Sequence, residues 1–272
     1  GEFCIEKKYG FSTMTLKMWV FDEIKSLIVG LIITVPLLLI AIFLLLHASS
    51  FWWLLLGIVY VAFSLILSCV YPVLIAPLFN KFSPIEDNLL KAKLESLLKK
   101  TGFESKGIFM MDASKRSRHS NAYFTGFGKN KRVVLYDTLM QQLSSNEIEA
   151  VLGHELGHYM HHHIIKRLCV MIPVVFVTLF AVSYLIQIPA LYRGFGFAPE
   201  TSMTVLEDNT IVEKALPYIQ FIGIFLLNFV FEGFGIIASF IGNLFSRRDE
   251  FQADRYSAEI CGNSRPLETA LI

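Results

Sequence analysis

The sequence is short of charge. Only 17% of its 272 residues are Asp, Glu, Lys or Arg, against about 25% in an ordinary soluble domain. At the same time 54% are hydrophobic and the mean hydropathy is +0.54, more apolar side chain than a water-soluble fold of this size has room to bury. Neither sign of charge is in surplus, with 24 Lys and Arg against 23 Asp and Glu, so bulk charge does not point to nucleic acid. Cysteine is scarce. Cys4, Cys69, Cys169 and Cys261 lie far apart, form no CxxC pair and fall in two cases inside apolar runs, which argues against a disulfide framework and against a thiolate metal site. There is no signal-peptide pattern, internal repeat or low-complexity stretch. The chain opens at Gly1 without a methionine and stops at Ile272 inside an apparent helix, so it reads as a piece of something longer.

What the sequence does have is long uncharged runs. Leu27 to Leu46 and Phe51 to Phe79 are separated only by His47-Ala48-Ser49-Ser50, and each reaches the ~20 helical residues that cross a hydrocarbon core. They predict a helical hairpin. Leu168 to Tyr192 is a third run and Ala215 to Ser246 a fourth, whose single charge is Glu232. The expected organisation is therefore an N-terminal segment with two spans over residues 1–79, a soluble domain over 80–167, two more spans over 168–246 and a final helix over 247–272. Threading four spans puts residues 1–26, 80–167 and 247–272 on one side, with 22 of the 24 Lys and Arg, and leaves only Arg193 and Lys214 on the other. By the positive-inside rule the first side is cytosolic.

The 80–167 segment predicts a small α+β domain. Ser83-Pro84-Ile85-Glu86 reads as a capping box before an amphipathic helix carrying Leu89, Leu90, Leu94, Leu97 and Leu98. Gly107 to Met111, His119 to Gly126 and Arg132 to Tyr136 read as strands, with Gly126 to Lys131 as a turn. Ser144-Ser145-Asn146-Glu147 is a second capping box, opening a helix that runs through at least His158.

The chemistry lies on that helix. His154-Glu155-Leu156-Gly157-His158 is an HExxH motif: residues four apart share a helical face, so both imidazoles reach one zinc ion while Glu155, one step round, can address a water on it. A catalytic zinc takes three protein ligands and leaves one position open. The topology puts Ser246-Arg247-Arg248-Asp249-Glu250-Phe251-Gln252-Ala253-Asp254 on the same side as the HExxH helix, so Glu250 can complete the set. One turn further on, Asp254 can accept the second ring N–H of a ligand histidine. The run His161-His162-His163 reads as an exposed helix end. Glu232, alone among apolar residues, is expected to face protein or water.

Lys115-Arg116-Ser117-Arg118-His119-Ser120-Asn121-Ala122-Tyr123-Phe124-Thr125-Gly126, Lys129 to Leu139, Val151-Leu152-Gly153 leading into HExxH, and the Ser246 to Asp254 run together resemble the type I CAAX prenyl proteases. These are integral-membrane zinc metalloproteases of the Ste24 type in peptidase family M48, and Ile5-Glu6-Lys7-Lys8-Tyr9-Gly10-Phe11 resembles the stretch after their second membrane helix. The resemblance implies a mainly α, polytopic fold: a barrel of seven membrane helices around a water-filled chamber, with a small cytosolic gluzincin-like domain. It implies two membrane helices before Gly1 and a further segment after Ile272. His154, His158 and Glu250 would hold one Zn2+, Glu155 would be the general base, Asp254 would support a ligand histidine, and Asn121 would lie on the strand that holds substrate. The implied partners are prenylated CaaX proteins and the lipid bilayer, and the implied location is the endoplasmic reticulum membrane, with the inner nuclear membrane, and a cytosolic active site. The alternatives are an HtpX-like quality-control metalloprotease and an inactive truncated membrane protein; Asn121 to Gly126 with Lys129 to Leu139 favours the first reading.

Overall fold

The computed structural model describes residues 2–126, 131–198, 201–205, 211–215 and 219–270. The expected turn over Gly126 to Lys131, including Lys129 and Asn130, falls largely outside them. Four helices among the described residues are long and apolar enough to cross a membrane. The first is α1 (Leu16–His47). The second runs through α2 (Trp52–Val70), a π turn at Tyr71–Ile75 and α3 (Ala76–Phe79), the irregular turn falling where Pro72 and Pro77 interrupt the backbone ladder.

Strand β1 (Phe82–Pro84) follows, then α4 (Asn88–Lys100), β2 (Ile108–Met111), β3 (Ala122–Thr125) and β4 (Arg132–Tyr136), then the helices α5 (Asp137–Gln142) and α6 (Ser145–Met160). The third long helix is α7 (His163–Leu185), and the short α8 (Pro189–Gly194) comes after it; the Leu168 to Tyr192 run is thus divided at Gln187-Ile188, ahead of Pro189. The segment between the third and fourth long helices, for which the sequence predicts no strands, holds an antiparallel pair, β5 (Thr201–Val205) and β6 (Ile211–Ala215). The fourth long helix, α9 (Gln220–Cys261), carries the fourth span and the Glu250 segment in one uninterrupted element, and α10 (Arg265–Ala270) closes the described chain.

The chain divides into two compact units. One comprises Ile32–Ser64 and Ile165–Ser246, with Leu45, Trp52, Ile186 and Leu227 buried together and Trp53 edge-on to Phe180 at 5.2 Å. The other comprises Gly1–Leu31, Leu65–Ile164 and Arg247–Ile272 and contains every residue of the predicted metal site. Its sheet has the order β1-β2-β4-β3, parallel between β2 and β4 and antiparallel elsewhere, so β3 is an edge. Ile148, Leu152 and Leu156, spaced one turn apart on α6, pack with Leu90, Leu94 and Leu97 of α4 and with Ile108, Ala122, Val133 and Leu135 of the sheet.

The local signals resolve unevenly. The capping box at the head of α6 forms, with the Ser144 N–H donating to Glu147 Oε2 at 2.7 Å. The one expected at Ser83 does not. Ser83 and Pro84 are drawn into β1, whose outer edge tolerates proline, and α4 is capped instead by Asp87, whose Oδ1 accepts from Leu89 N at 2.9 Å and Leu90 N at 3.0 Å. Leu89, counted with the apolar stripe, is therefore 86% exposed in the first turn.

Candidate metal centre

The centre is built from two helices that touch backbone to backbone. A Cβ added to Gly157 of α6 would lie 2.7 Å from the Ala253 Cα of α9, and one added to Gly153 would lie 2.9 Å from Ser257 Oγ. Ser257 Oγ donates to the Ala150 carbonyl at 2.6 Å and fixes the register of this approach. With both interlocked positions glycine, the helices come close enough for Glu250 and Asp254 to reach across.

His154 and His158, one turn apart on α6, turn their Nε2 atoms toward each other at 3.1 Å. Glu250 Oε2 lies 3.2 Å from the first and 3.4 Å from the second. The other ring nitrogens decide which atoms carry protons. His154 Nδ1 donates to Asp254 Oδ1 at 2.8 Å, so its Nε2 is a bare lone pair. His158 Nδ1 lies 2.9 Å from His163 Nδ1, and His163 Nε2 faces Gln252 Oε1 at 3.1 Å and Asp249 Oδ1 at 3.6 Å. Because those two oxygens accept, His163 holds its proton on Nε2, accepts on Nδ1, and leaves His158 Nδ1 as donor and His158 Nε2 bare.

Two imidazole lone pairs and a carboxylate oxygen thus converge within 4.8 Å, repelling one another unless a cation lies between them. Ligand atoms on a tetrahedral zinc are separated by roughly 3.3 Å, given metal–ligand distances of about 2.0–2.2 Å. The donor set fits such an ion in both spacing and chemistry.

Glu155 is half-buried beside the pair, and burial holds its carboxyl above the usual carboxylate range; the Glu250 charge adds to this and His154 opposes it. Burial, reinforced by His154 and His163 and opposed by Glu250, pushes the His158 imidazole down, toward the neutral form a ligand requires. Asn121 stands apart from these groups. It is exposed and immediately precedes the edge strand β3, its Oδ1 accepts from Ala122 N at 2.8 Å, and its side chain bonds that of Tyr136, whose phenol is raised mainly by burial. The strand it heads packs through Ala122 against Leu152 and Leu156 of the HExxH helix.

Sequence reasoning missed His163. Far from an exposed helix end, it is 1% exposed, folded back beneath His158 by a left-handed turn at His162 (φ 56°). Gln252 and the small residues Gly153, Gly157, Ala253 and Ser257 were also missed. Their one signal was small residues four apart in both motifs.

Residues 84–272 match the model of peptidase family M48, and residues 1–81 match that of the CAAX prenyl protease N-terminal region with five membrane helices. The chain belongs to peptidase family M48. It is 37% identical to CAAX prenyl protease 1 of Saccharomyces cerevisiae over 100% of this chain and 59% of that protein, and 30% identical to the Homo sapiens CAAX prenyl protease 1 homolog over 99% and 61%. The crystal structure of S. mikatae Ste24p shares its fold with a TM-score of 0.84 at 35% identity, covering 95% of this chain and 60% of that one. The chain thus spans about three-fifths of the relatives it matches. M48 membership implies a metal cofactor, and with four candidate spans it makes the chain a mainly α, multi-pass membrane protein.

Proposed function

We propose that this protein is a zinc metalloendopeptidase that removes the last three residues, -aaX, from prenylated CaaX proteins. The observation that carries the reading is the convergence of His154 Nε2, His158 Nε2 and Glu250 Oε2 beside a half-buried Glu155. These three side chains would hold one Zn2+, which when bound lowers the pKa of water and polarises the scissile carbonyl. Glu155 takes the proton from the attacking water and returns it to the leaving amine, a task suited to a carboxyl that burial holds above the usual carboxylate range. Asp254 and His163 hold the two imidazoles in the tautomers that leave Nε2 free.

The free edge of β3, headed by Asn121, offers main-chain groups to an extended peptide running beside α6. A substrate with an isoprenoid at one end and a soluble polypeptide at the other suits an enzyme that is itself membrane-embedded, and relatives named CAAX prenyl protease 1 support that substrate class. The excess of Lys and Arg on the side holding the metal centre supports a cytosolic site, and the family resemblance is what supports the endoplasmic reticulum membrane as its location.

The test is cleavage of one CaaX peptide with and without its prenyl group, with Glu155→Ala as blank. Cleavage is expected to require both the prenyl group and Glu155. Equal cleavage of the unprenylated peptide, or faster cleavage of unrelated unfolded proteins, would replace the substrate assignment with membrane quality control.

A further inference from the structure

A polar cavity of about 470 Å³ lies within the unit that holds the metal centre, between the start of α1, the end of α3 and the segment around Asp112 to Arg116. It contains Lys17, Lys25, Lys81, Lys115 and Arg116 but only two carboxylates, Asp22 and Asp112, a local surplus of three positive charges in a chain whose net charge is +1. The metal centre uses none of these residues.

Both carboxylates are already engaged. Asp22 grips the half-buried Arg116 guanidinium through both oxygens, at 2.8 Å and 3.3 Å, while Asn80 Oδ1 accepts from the same group at 3.1 Å. Asp112 takes Lys115 at 2.6 Å and the Lys81 backbone N–H at 2.6 Å. These contacts fix the walls. The Lys17 and Lys81 ammonium groups have no hydrogen-bond or ion-pair partner among the described residues, and Lys25 meets the Leu78 carbonyl at 3.0 Å, Asp22 loosely at 3.8 Å and the face of the Phe79 ring at 5.9 Å. Two unpartnered cations, Lys17 and Lys81, and a third, Lys25, with no close carboxylate thus stand at a prearranged wall.

Depth selects the ligand. The Lys25 to Leu78 bond ties the start of the first uncharged run to the end of the second, so Lys25 marks the level at which hydrocarbon gives way to headgroups. Lys17, eight residues earlier on α1, stands about 12 Å further out at 1.5 Å per residue. A single phosphodiester at the membrane surface spans only the inner part of that distance. A headgroup that also carries phosphomonoesters spans all of it.

We propose that this cavity binds the phosphorylated headgroup of an anionic membrane lipid, with Lys25 near the phosphodiester and Lys17 and Lys81 on the outer phosphomonoesters. Basic pockets at the ends of membrane helices recognise such headgroups through charge-assisted contacts of this kind.

The test uses purified full-length protein in detergent and short-chain dioctanoyl lipids. Dioctanoyl phosphatidylinositol bisphosphate is expected to bind saturably, and dioctanoyl phosphatidylcholine not to bind. Lys17→Ala with Lys81→Ala is expected to weaken binding about 30-fold, the effect of two lysines near an anionic surface. Lys17→Arg with Lys81→Arg should retain binding, as should Lys91→Ala with Lys99→Ala on the remote helix α4, which controls for net charge. Bound zinc, measured on each variant, checks that the fold persists. Equal binding of the bisphosphate lipid by wild type and the Lys17/Lys81 alanine variant would overturn the proposal, as would binding no tighter than phosphatidylcholine. Water-soluble inositol trisphosphate binding as tightly as the lipid would overturn the membrane source and assign the cavity to a soluble phosphate.

Discussion

Helix α6 meets its neighbours on two faces in opposite ways. Toward the sheet and α4 it presents Ile148, Leu152 and Leu156, each at most 2% exposed, so that contact is made of side chains. Toward α9 it presents Gly153 and Gly157, so that contact is made of their absence. The first face supplies stability, which repacking can partly recover. The second supplies a distance, and one methyl group changes it.

Substitutions on the two faces should therefore separate stability from metal binding. Leu156→Ala empties a fully buried position and is expected to lower unfolding free energy by about 2–5 kcal/mol, read by thermal denaturation, while the folded fraction still binds one zinc. Gly157→Ala adds a single carbon, yet its Cβ would have to displace Ala253 and with it Glu250; zinc affinity, measured against a chelator, is expected to fall about 100-fold or more. Should Gly157→Ala bind zinc normally, the close approach is not what positions Glu250.

Within the centre, Asp254→Ala removes a charged acceptor from His154 and is expected to weaken zinc binding by about 10–100-fold. His163→Ala removes a neutral acceptor from His158 and belongs at the lower end of that range, about 10-fold. His163→Asn, which can accept at a similar place, should recover part of the loss, a rescue that mere cavity filling would not give. The smallest effect is expected at the mouth of α6, where Ser144→Ala breaks the capping box, costs about 1 kcal/mol of stability and leaves zinc binding unchanged.

These contrasts also mark what could be read from the sequence. The four apolar runs, the HExxH helix with its cap and the placement of Glu250 on the same side all follow from local periodicity and charge. The start of α4 was misplaced because Ser83 and Asp87 are both competent caps, and the choice was made by strand pairing to β2, a contact some 25 residues away in sequence. His163 was misjudged because a run of histidines looks polar, whereas its burial depends on Asp249 and Gln252, which arrive on another helix 89 residues later in the case of Gln252. The small residues on α6 and α9 recur four apart, but that spacing alone does not say which two helices will press together. Glu232, expected to face protein or water, is exposed on α9.

The separation of the ligands along the chain also has a consequence in time. His154 and Asp254 are 100 residues apart, and Glu250 precedes Asp254 by one helical turn. At ribosomal speeds of about 5–20 residues per second, the two histidines emerge roughly 5–20 s before the carboxylates that complete and orient the site. During that interval the nascent chain lacks Glu250 and Asp254, and α9 must be made and docked before the three candidate ligands face one another. A centre assembled in this order is completed only by finishing the tertiary structure around it.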